Sequence, residues 1–300
     1  MKCSVGICAY NEEKNIGKLL EALMRQETDV AEIDEIIVVA SGCTDRTVEI
    51  AKDFARRDSR VRVVAQEKRE GKAAAVGLFL REAKHDILVL ESADTIPQKH
   101  TVEYLVRPFQ DMTVGMTGAR PMPVDSPAML MGYTTHLLWA LHHAIALQSP
   151  KMGEMIAMRR VVREMPRTSV DEAYLESAVR EAGLRLQYVP EAIVHNKGPE
   201  NISDFFRQRR HIHWGHLHLK QQTGHTVSTG SVFTILKVLA REIFGGKNNF
   251  LRTYIYYLPV AVALEAAGRA LGYWDYYIAH REHIIWDVRE STKNLYHSTK

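Results

Sequence analysis

The chain has 300 residues, 46% hydrophobic and 25% charged, an ordinary globular balance sufficient for one large domain or two smaller ones. A net charge of +3 excludes a strongly basic nucleic-acid surface. Three cysteines, Cys3, Cys8 and Cys43, are an odd set that argues against a disulfide framework and for a reducing compartment.

The chain opens directly on strand-like sequence, "KCSVGICAY" (2–10), with no basic leader, so no signal peptide is expected. "NEEKNIGKLLEALMRQ" follows, with Ile16, Leu19, Leu20 and Leu23 on one helix face. Asn11 is the expected N-cap, with Glu12 and Glu13 in the first turn. Next come a strand at 35–40, the helix "DRTVEIAKDFARR", a strand at 61–66, the helix "GKAAAVGLFLREA" and the strand "DILVLE". Such alternation predicts an α/β fold with a mostly parallel sheet covered on both faces. Ligands then bind beyond the carboxyl ends of the strands, so the turns at 9–12, 40–45 and 91–97 are the places to look.

The second half is less regular. "SPAMLMGYTTHLLWALHHAIAL" and "VDEAYLESAVREAG" read as helices, the latter ended by Gly183. "LRLQYVPEAIVHN" reads as two strands interrupted at Pro190, and "ISDFFRQRRHIHWGHLHL" as a helix with basic and histidine positions. His211, His213, His216 and His218 fall on more than one helix face, with no cysteine or acid pair beside them, a poor zinc set. From 231 on there are two apolar stretches, 231–244 and 250–274, and a final segment, 281–300, expected as a capping helix and polar tail.

Four segments, "AYNEEKNIGKLL", "VVASGCTDRT", "REGKAAAV" and "LESADTIP", occur in this order and together resemble family-2 glycosyltransferases of the GT-A fold, over roughly residues 3–215. Within that family the chain is most similar to the dolichyl-phosphate-mannose-synthase and cellulose-synthase-like branches. The resemblance implies a GT-A catalytic domain over 1–225, Rossmann-like with a mostly parallel sheet and flanking helices. It also implies a nucleotide-diphosphate-sugar donor, a GDP- or UDP-sugar, held with Mg²⁺ or Mn²⁺. The family's Asp-x-Asp stands here as Ser92-Ala93-Asp94, which leaves Asp94 as the metal ligand. Ala9, Tyr10, Asn11 and Glu12 match its nucleoside-binding first motif. Ser41 and Asp45 lie in its second, where both leading acids are replaced by Ala40 and Ser41. Asp45 equally suits a helix cap. Arg69, Gly71 and Lys72 match an element whose cation lies near the nucleotide.

The family's base is an acid at a helix start, aligned here with Asp171-Glu172 in inverted order. Register makes Glu172 the base that deprotonates an acceptor hydroxyl, though Asp171 is chemically acceptable. "GEMIAMRR" resembles the floor of the acceptor pocket. The Gln-x-x-Arg-Trp motif is degenerate, with Gln208, Arg209 and Arg210 offered to the diphosphate and Trp214 displaced. This implies an inverting, nonprocessive enzyme, with mannose a candidate sugar. The other readings are a noncatalytic nucleotide-sugar-binding or scaffold member and, less well, a nucleotidyltransferase, which needs a basic glycine-rich loop where "AYNEEK" is acidic.

The region 226–300 is expected to be helical, with an apolar hairpin lying on the membrane, crossing it with paired charges, or packing as a soluble subdomain or dimer contact. The membrane reading implies a lipid-linked acceptor, of the kind used in glycolipid and N-glycan assembly, at the cytoplasmic face of a membrane.

Overall fold

The computed structural model describes residues 1–224, 232–245, 249–285 and 290–295. Three βα units and a fourth strand open the chain: β1 (Lys2–Ala9), α1 (Ile16–Met24), β2 (Glu32–Ser41), α2 (Thr47–Arg57), β3 (Val61–Gln66), α3 (Lys72–Glu82) and β4 (Ile87–Ser92). They continue into β5 (Ile96–Pro97), α4 (Thr101–Val106), β6 (Val114–Pro123), α5 (Leu130–Ala146), β7 (Ile156–Arg159), α6 (Asp171–Glu181) and β8 (Arg185–Asn196). The eight strands form one sheet in the order β3-β2-β1-β4-β7-β6-β8-β5. β1 pairs in parallel with β2 and β4, and β2 with β3, while β7 runs antiparallel between β4 and β6.

Side chains alternate along each strand, so each central strand feeds two cores. Ile36 and Val38 of β2 join α1 and α2 on one face, whereas Ile37 and Val39 join α3 and α6 on the other. Gly6 of β1 leaves room for the Phe79 ring of α3. A Cβ there would lie 2.5 Å from the Phe79 ring.

Three local expectations are corrected. Asn11 does not cap α1, which starts at Ile16 after Asn15. Asn11 instead takes a left-handed conformation (φ 52°), and its side-chain oxygen accepts from the Thr44 backbone N–H at 2.8 Å, tying the first turn to the second. β8 runs unbroken through Pro190 to the register shift opposite Gly118 and Arg120, because a proline is tolerated where the ladder is already irregular. The capping helix expected beyond 280 is not found among the described residues. Residues 281–284 carry no regular structure and 290–292 form one 3₁₀ turn, while 286–289 and 296–300 lie outside them.

The expected apolar hairpin is not found either. The later helices are α7 (Ile202–Thr223), α8 (Val232–Phe244), α9 (Asn249–Thr253) and α10 (Leu258–Tyr277), with 226–231 outside the described residues. No helix among the described residues is long and apolar enough to cross a membrane. α10 instead lies along α7 on a stripe of Ala261, Leu264, Gly268, Gly272 and Asp275. The glycines let the axes approach: a Cβ on Gly272 would sit 2.8 Å from the Cβ of His213. Charges that weaken the hydropathy of α10 are paired inside this contact. Asp275 holds Arg210 through two hydrogen bonds of 2.7 Å, and Glu265 holds Arg209 at 2.6 Å. α5 packs on the other side, with Tyr133, Leu137 and Leu141 against Val238 of α8, Leu251 of α9 and Ala261 of α10.

Candidate active site

The carboxyl ends of β1, β2 and β4 open onto one cavity of about 1110 Å³. Its sheet end is walled by Ala9, Tyr10 and Glu12 after β1, Ser41 at the end of β2, and Ser92, Ala93 and Asp94 after β4. Gly42 (φ 64°) must be glycine, since a Cβ would stand 2.4 Å from the Arg69 backbone nitrogen. That close approach brings Arg69 over the Tyr10 ring, 4.1 Å from its centroid. Cys43 joins the turns by accepting from the Asn11 N–H at 3.5 Å.

The first turn buries an acid. Glu12 is 5% exposed, accepts from Asn15 at 2.9 Å and forms an ion pair with Lys293. Burial, then the nearby Asp94 charge, pushes its carboxyl up to about 7 against the pull of Lys293.

Gly71, with φ 95°, turns the chain into α3 so that Lys72 is its first residue. The Lys72 ammonium lies 3.2 Å from Asp171 and 2.5 Å from Glu172, at the first turn of α6. Burial opposes its charge, but the two carboxylates outweigh burial and hold its pKa well above the lysine range. Asp171 is buried and lies off the cavity wall, whereas Glu172 lines it. Burial and then the Glu172 charge push Asp171 up to about 7.

Glu154, just before β7, also lines the cavity. It accepts from Asn196 Nδ2 at 3.3 Å, and burial followed by the Asp94 charge raises it to about 7. Asn196 Oδ1 is buried and has no hydrogen-bond partner. The sheet end therefore gathers carboxyls whose burial, and then repulsion from neighbouring acids, holds protons near neutrality, beside an orphaned amide oxygen. Asp94, Glu154 and Asn196 are hard oxygen donors that fit a divalent cation. Among the described residues no three His, Cys, Asp or Glu side chains could hold a metal between them, so such an ion needs further oxygens, as from a ligand phosphate. Glu91 is not part of this set. It is 2% exposed, takes the Thr95 hydroxyl, and burial drives its pKa well above the carboxylate range.

Away from the sheet the cavity runs between α5, α7, α8 and α10, past Leu137, Leu141, Ile212, Leu239 and Val262. At the junction stand Lys151, Arg209 and Arg269, with Glu265 between the two arginines at 2.6 and 2.9 Å. His213 and His216 line the same stretch, and burial holds both neutral, His213 down to about 4.

The structure thus brings Ala9, Tyr10, Glu12, Ser41, Arg69, Gly71, Lys72, Ser92, Ala93, Asp94, Glu172, Gln208 and Arg209 to one cavity. Asn11, Asp45, Asp171 and Arg210 lie off its wall. Asp45 accepts from the Thr47 and Glu13 backbone N–H groups at 3.0 Å each, the helix-cap alternative. Arg210 faces Asp275. Sequence reasoning missed Glu154, Asn196, Lys151 and Lys293. Glu154 sat inside a quoted segment, but a lone acid before a four-residue strand carries no periodic signal. Asn196 and Lys293 reach the site only through folding.

The comparisons with known proteins agree with this geometry. The family model described as Glycosyl transferase family 2 matches residues 4–150. The glycosyltransferase GlyG of Streptococcus pneumoniae is 32% identical over 108 residues, 36% of this chain and 35% of that protein. A dolichyl-phosphate beta-glucosyltransferase of Trichomonas vaginalis is 28% identical over 134 residues, 43% of this chain and 37% of that protein. The chain thus spans about a third of the length of either relative. Among solved structures, the mannosyltransferase PcManGT from Pyrobaculum calidifontis, in complex with GDP-Man and Mn²⁺, shares the fold with a TM-score of 0.57 at 22% identity, covering 98% of this chain and 87% of that one. A GT-A-like sheet whose strand ends converge on one acid-lined cavity, and a family model laid over those same strands, lead to one conclusion: residues 4–150 of this chain carry a domain that matches glycosyl transferase family 2.

Proposed function

We propose that the protein is an inverting, nonprocessive glycosyltransferase that moves a hexose from a nucleotide-diphosphate sugar to a lipid-linked acceptor. The observation that carries this reading is the cavity itself, where the β1, β2 and β4 ends and Glu172 of α6 face a common space. Tyr10 and Arg69 form a flat cationic platform suited to a base or ribose, and Glu12 can accept from ribose hydroxyls. Asp94, with Glu154 and Asn196, would hold Mg²⁺ or Mn²⁺. Bound there, the ion supplies positive charge to the departing pyrophosphate.

Glu172 is the base for the acceptor hydroxyl. The Lys72 ammonium beside it fixes the position of the carboxylate. For an acceptor phosphate, which is already ionised, positioning replaces proton removal. Lys151, Arg209 and Arg269 then offer the positive charge, the two arginines sharing Glu265 between them. Both donor chemistries, GDP- and UDP-linked, stay within this reading. GDP-mannose is favoured by the likeness to a fold that binds GDP-Man in PcManGT.

The lipid acceptor is supported by the apolar run between α5, α7, α8 and α10, and by exposed Leu236, Tyr256, Val260, Val262, Tyr273 and Trp274 on the same helices and the turn before α10. Tyrosine and tryptophan on such a face suit the lipid–water interface, so the proposed location is the cytoplasmic face of a membrane, with α8–α10 lying on it. A pair of copies meeting through this face is the competing use of the same surface.

The test is a transfer and hydrolysis panel of GDP-mannose, UDP-glucose and UDP-N-acetylglucosamine with Mn²⁺ or with EDTA, with and without a polyprenyl-phosphate acceptor. One donor turned over in a metal-dependent way supports the reading. No turnover and no binding of any donor would contradict it.

A further inference from the structure

Residues 290–295, far from the family motifs in sequence, run across the nucleotide end of the cavity. On one side Ser291 Oγ donates to Asp204 Oδ2 at 2.6 Å and accepts from the Glu200 N–H at 3.4 Å, and Lys197 Nζ donates to the Asn294 carbonyl at 3.0 Å. On the other side Asn15 Nδ2 donates to the Lys293 carbonyl at 3.1 Å and the Leu295 N–H donates to Asn15 Oδ1 at 3.0 Å. The segment is therefore tied both to the loop and helix that follow β8 and to the turn before α1. Thr292 and Leu295 are buried along it.

Between these ties Lys293 points inward. Its ammonium donates to the Tyr10 carbonyl at 2.7 Å, forms the ion pair with Glu12, and lies 5.8 Å from the Tyr10 ring centroid. Thr292 and Lys293 both line the cavity, next to Tyr10, Glu12 and Arg69. An ammonium has three donors, and two are engaged on the turn after β1. The third is within the same wall that the nucleoside reading assigns to a base or ribose.

We propose that residues 290–295 are a clasp that completes the donor site, and that Lys293 is a positioning residue which fixes Tyr10 and Glu12 and offers its remaining N–H to a ribose or phosphate oxygen of a nucleoside diphosphate. This rests on the glycosyltransferase reading above. It adds a donor contact outside the domain that the family model covers. The clasp also explains why Glu12 can be buried: Lys293 supplies its counter-charge across 281 positions of sequence.

The test is calorimetry of the full chain with GDP and UDP in Mn²⁺, using wild type, Lys293→Met, Lys293→Arg and Ser291→Ala, each checked by thermal unfolding. Lys293→Met is expected to weaken nucleoside diphosphate binding about tenfold, the scale of one charge-assisted hydrogen bond. With the turned-over donor it raises KM by a similar factor and leaves kcat within about twofold. Lys293→Arg restores most of the affinity. Ser291→Ala, which only loosens the far tie, gives a smaller loss of about threefold. Unchanged binding in Lys293→Met or in Ser291→Ala overturns the clasp and leaves the glycosyltransferase reading standing. Tighter binding in Lys293→Met also overturns it, since the segment would then be obstructing the slot. Failure of wild type to bind either nucleotide overturns the donor-site reading, and the clasp with it.

Discussion

The turns after β1, β2 and β4 and the helix pair α7–α10 both carry charge into the interior, but they satisfy it differently. In the turns, Asp45 is held by the backbone N–H groups of Thr47 and Glu13, close to the strand ends, while Glu12 takes its counter-charge from Lys293, 281 positions away. In the helix pair the partners are 56 and 65 residues apart, Arg209 with Glu265 and Arg210 with Asp275. The first region places its residue types in short motifs at the strand ends, although Glu12 still depends on a distant partner. The second needs two helices to be brought together before any of its charges has a partner. Arg209 belongs to both descriptions, since it lines the cavity while pairing with Glu265.

The largest expected effect belongs to the cavity those turns open onto, at the start of α6. Glu172→Gln is expected to lower sugar transfer by about 10²- to 10⁴-fold, the range for loss of a positioned base, with nucleotide binding and unfolding midpoint close to wild type. Asp171→Asn, off the cavity wall, should lower transfer far less. Single-turnover rates decide it, and equal losses in the two variants would move the base role to the pair.

The second region is expected to break by unfolding instead. Asp275→Ala strands Arg210 in a contact where Asp275 is 1% exposed and Arg210 27%. Removing one partner of such a pair costs about 3–5 kcal/mol, read as a lower denaturant midpoint. Its effect on nucleotide affinity per folded molecule should be within about twofold. A smaller loss follows from Gly272→Ala. The new methyl meets His213 at 2.8 Å, and overpacking of this kind costs about 1–3 kcal/mol. Stability unchanged in Gly272→Ala would show that α10 does not press on α7 as closely as described.

A pH dependence sharpens the contrast as well. Asp171 has its carboxyl raised from 3.8 to about 7. Between those values the folded chain binds a proton that the unfolded chain lacks, so its contribution to stability falls as pH rises through that window and levels off above it. Asparagine does not titrate. The unfolding free energy of Asp171→Asn relative to wild type should therefore rise from pH 4 to 7 and then stay level. A flat difference across that window would contradict the raised carboxyl.

The same contrast accounts for what the sequence could tell. The opening βα units and the fourth strand were legible because Ile16, Leu19, Leu20 and Leu23 repeat at helix spacing and the strand runs are unbroken. Tyr10, Asp94 and Glu172 were legible because each sits in a short motif at a strand or helix end. Asn11 misled because a cap and a turn tie use the same side-chain chemistry, and only the positive φ separates them. The apolar hairpin misled because hydropathy counts Tyr254, Tyr256 and Tyr257 as apolar surface but cannot see that Glu265, Arg269 and Asp275 already have partners within the protein. Asn196 and Lys293 were invisible for a simpler reason: nothing near them in sequence points to the cavity they share.

The most direct test of the central claim is nucleoside diphosphate binding to wild type and Asp94→Asn, measured by calorimetry in Mn²⁺ and in EDTA. The account predicts that wild type binds in Mn²⁺ and loses about 100-fold or more in EDTA, and that Asp94→Asn binds as weakly as the stripped protein under both conditions. Equal affinity of wild type in Mn²⁺ and EDTA, or a full metal response in Asp94→Asn, would contradict it.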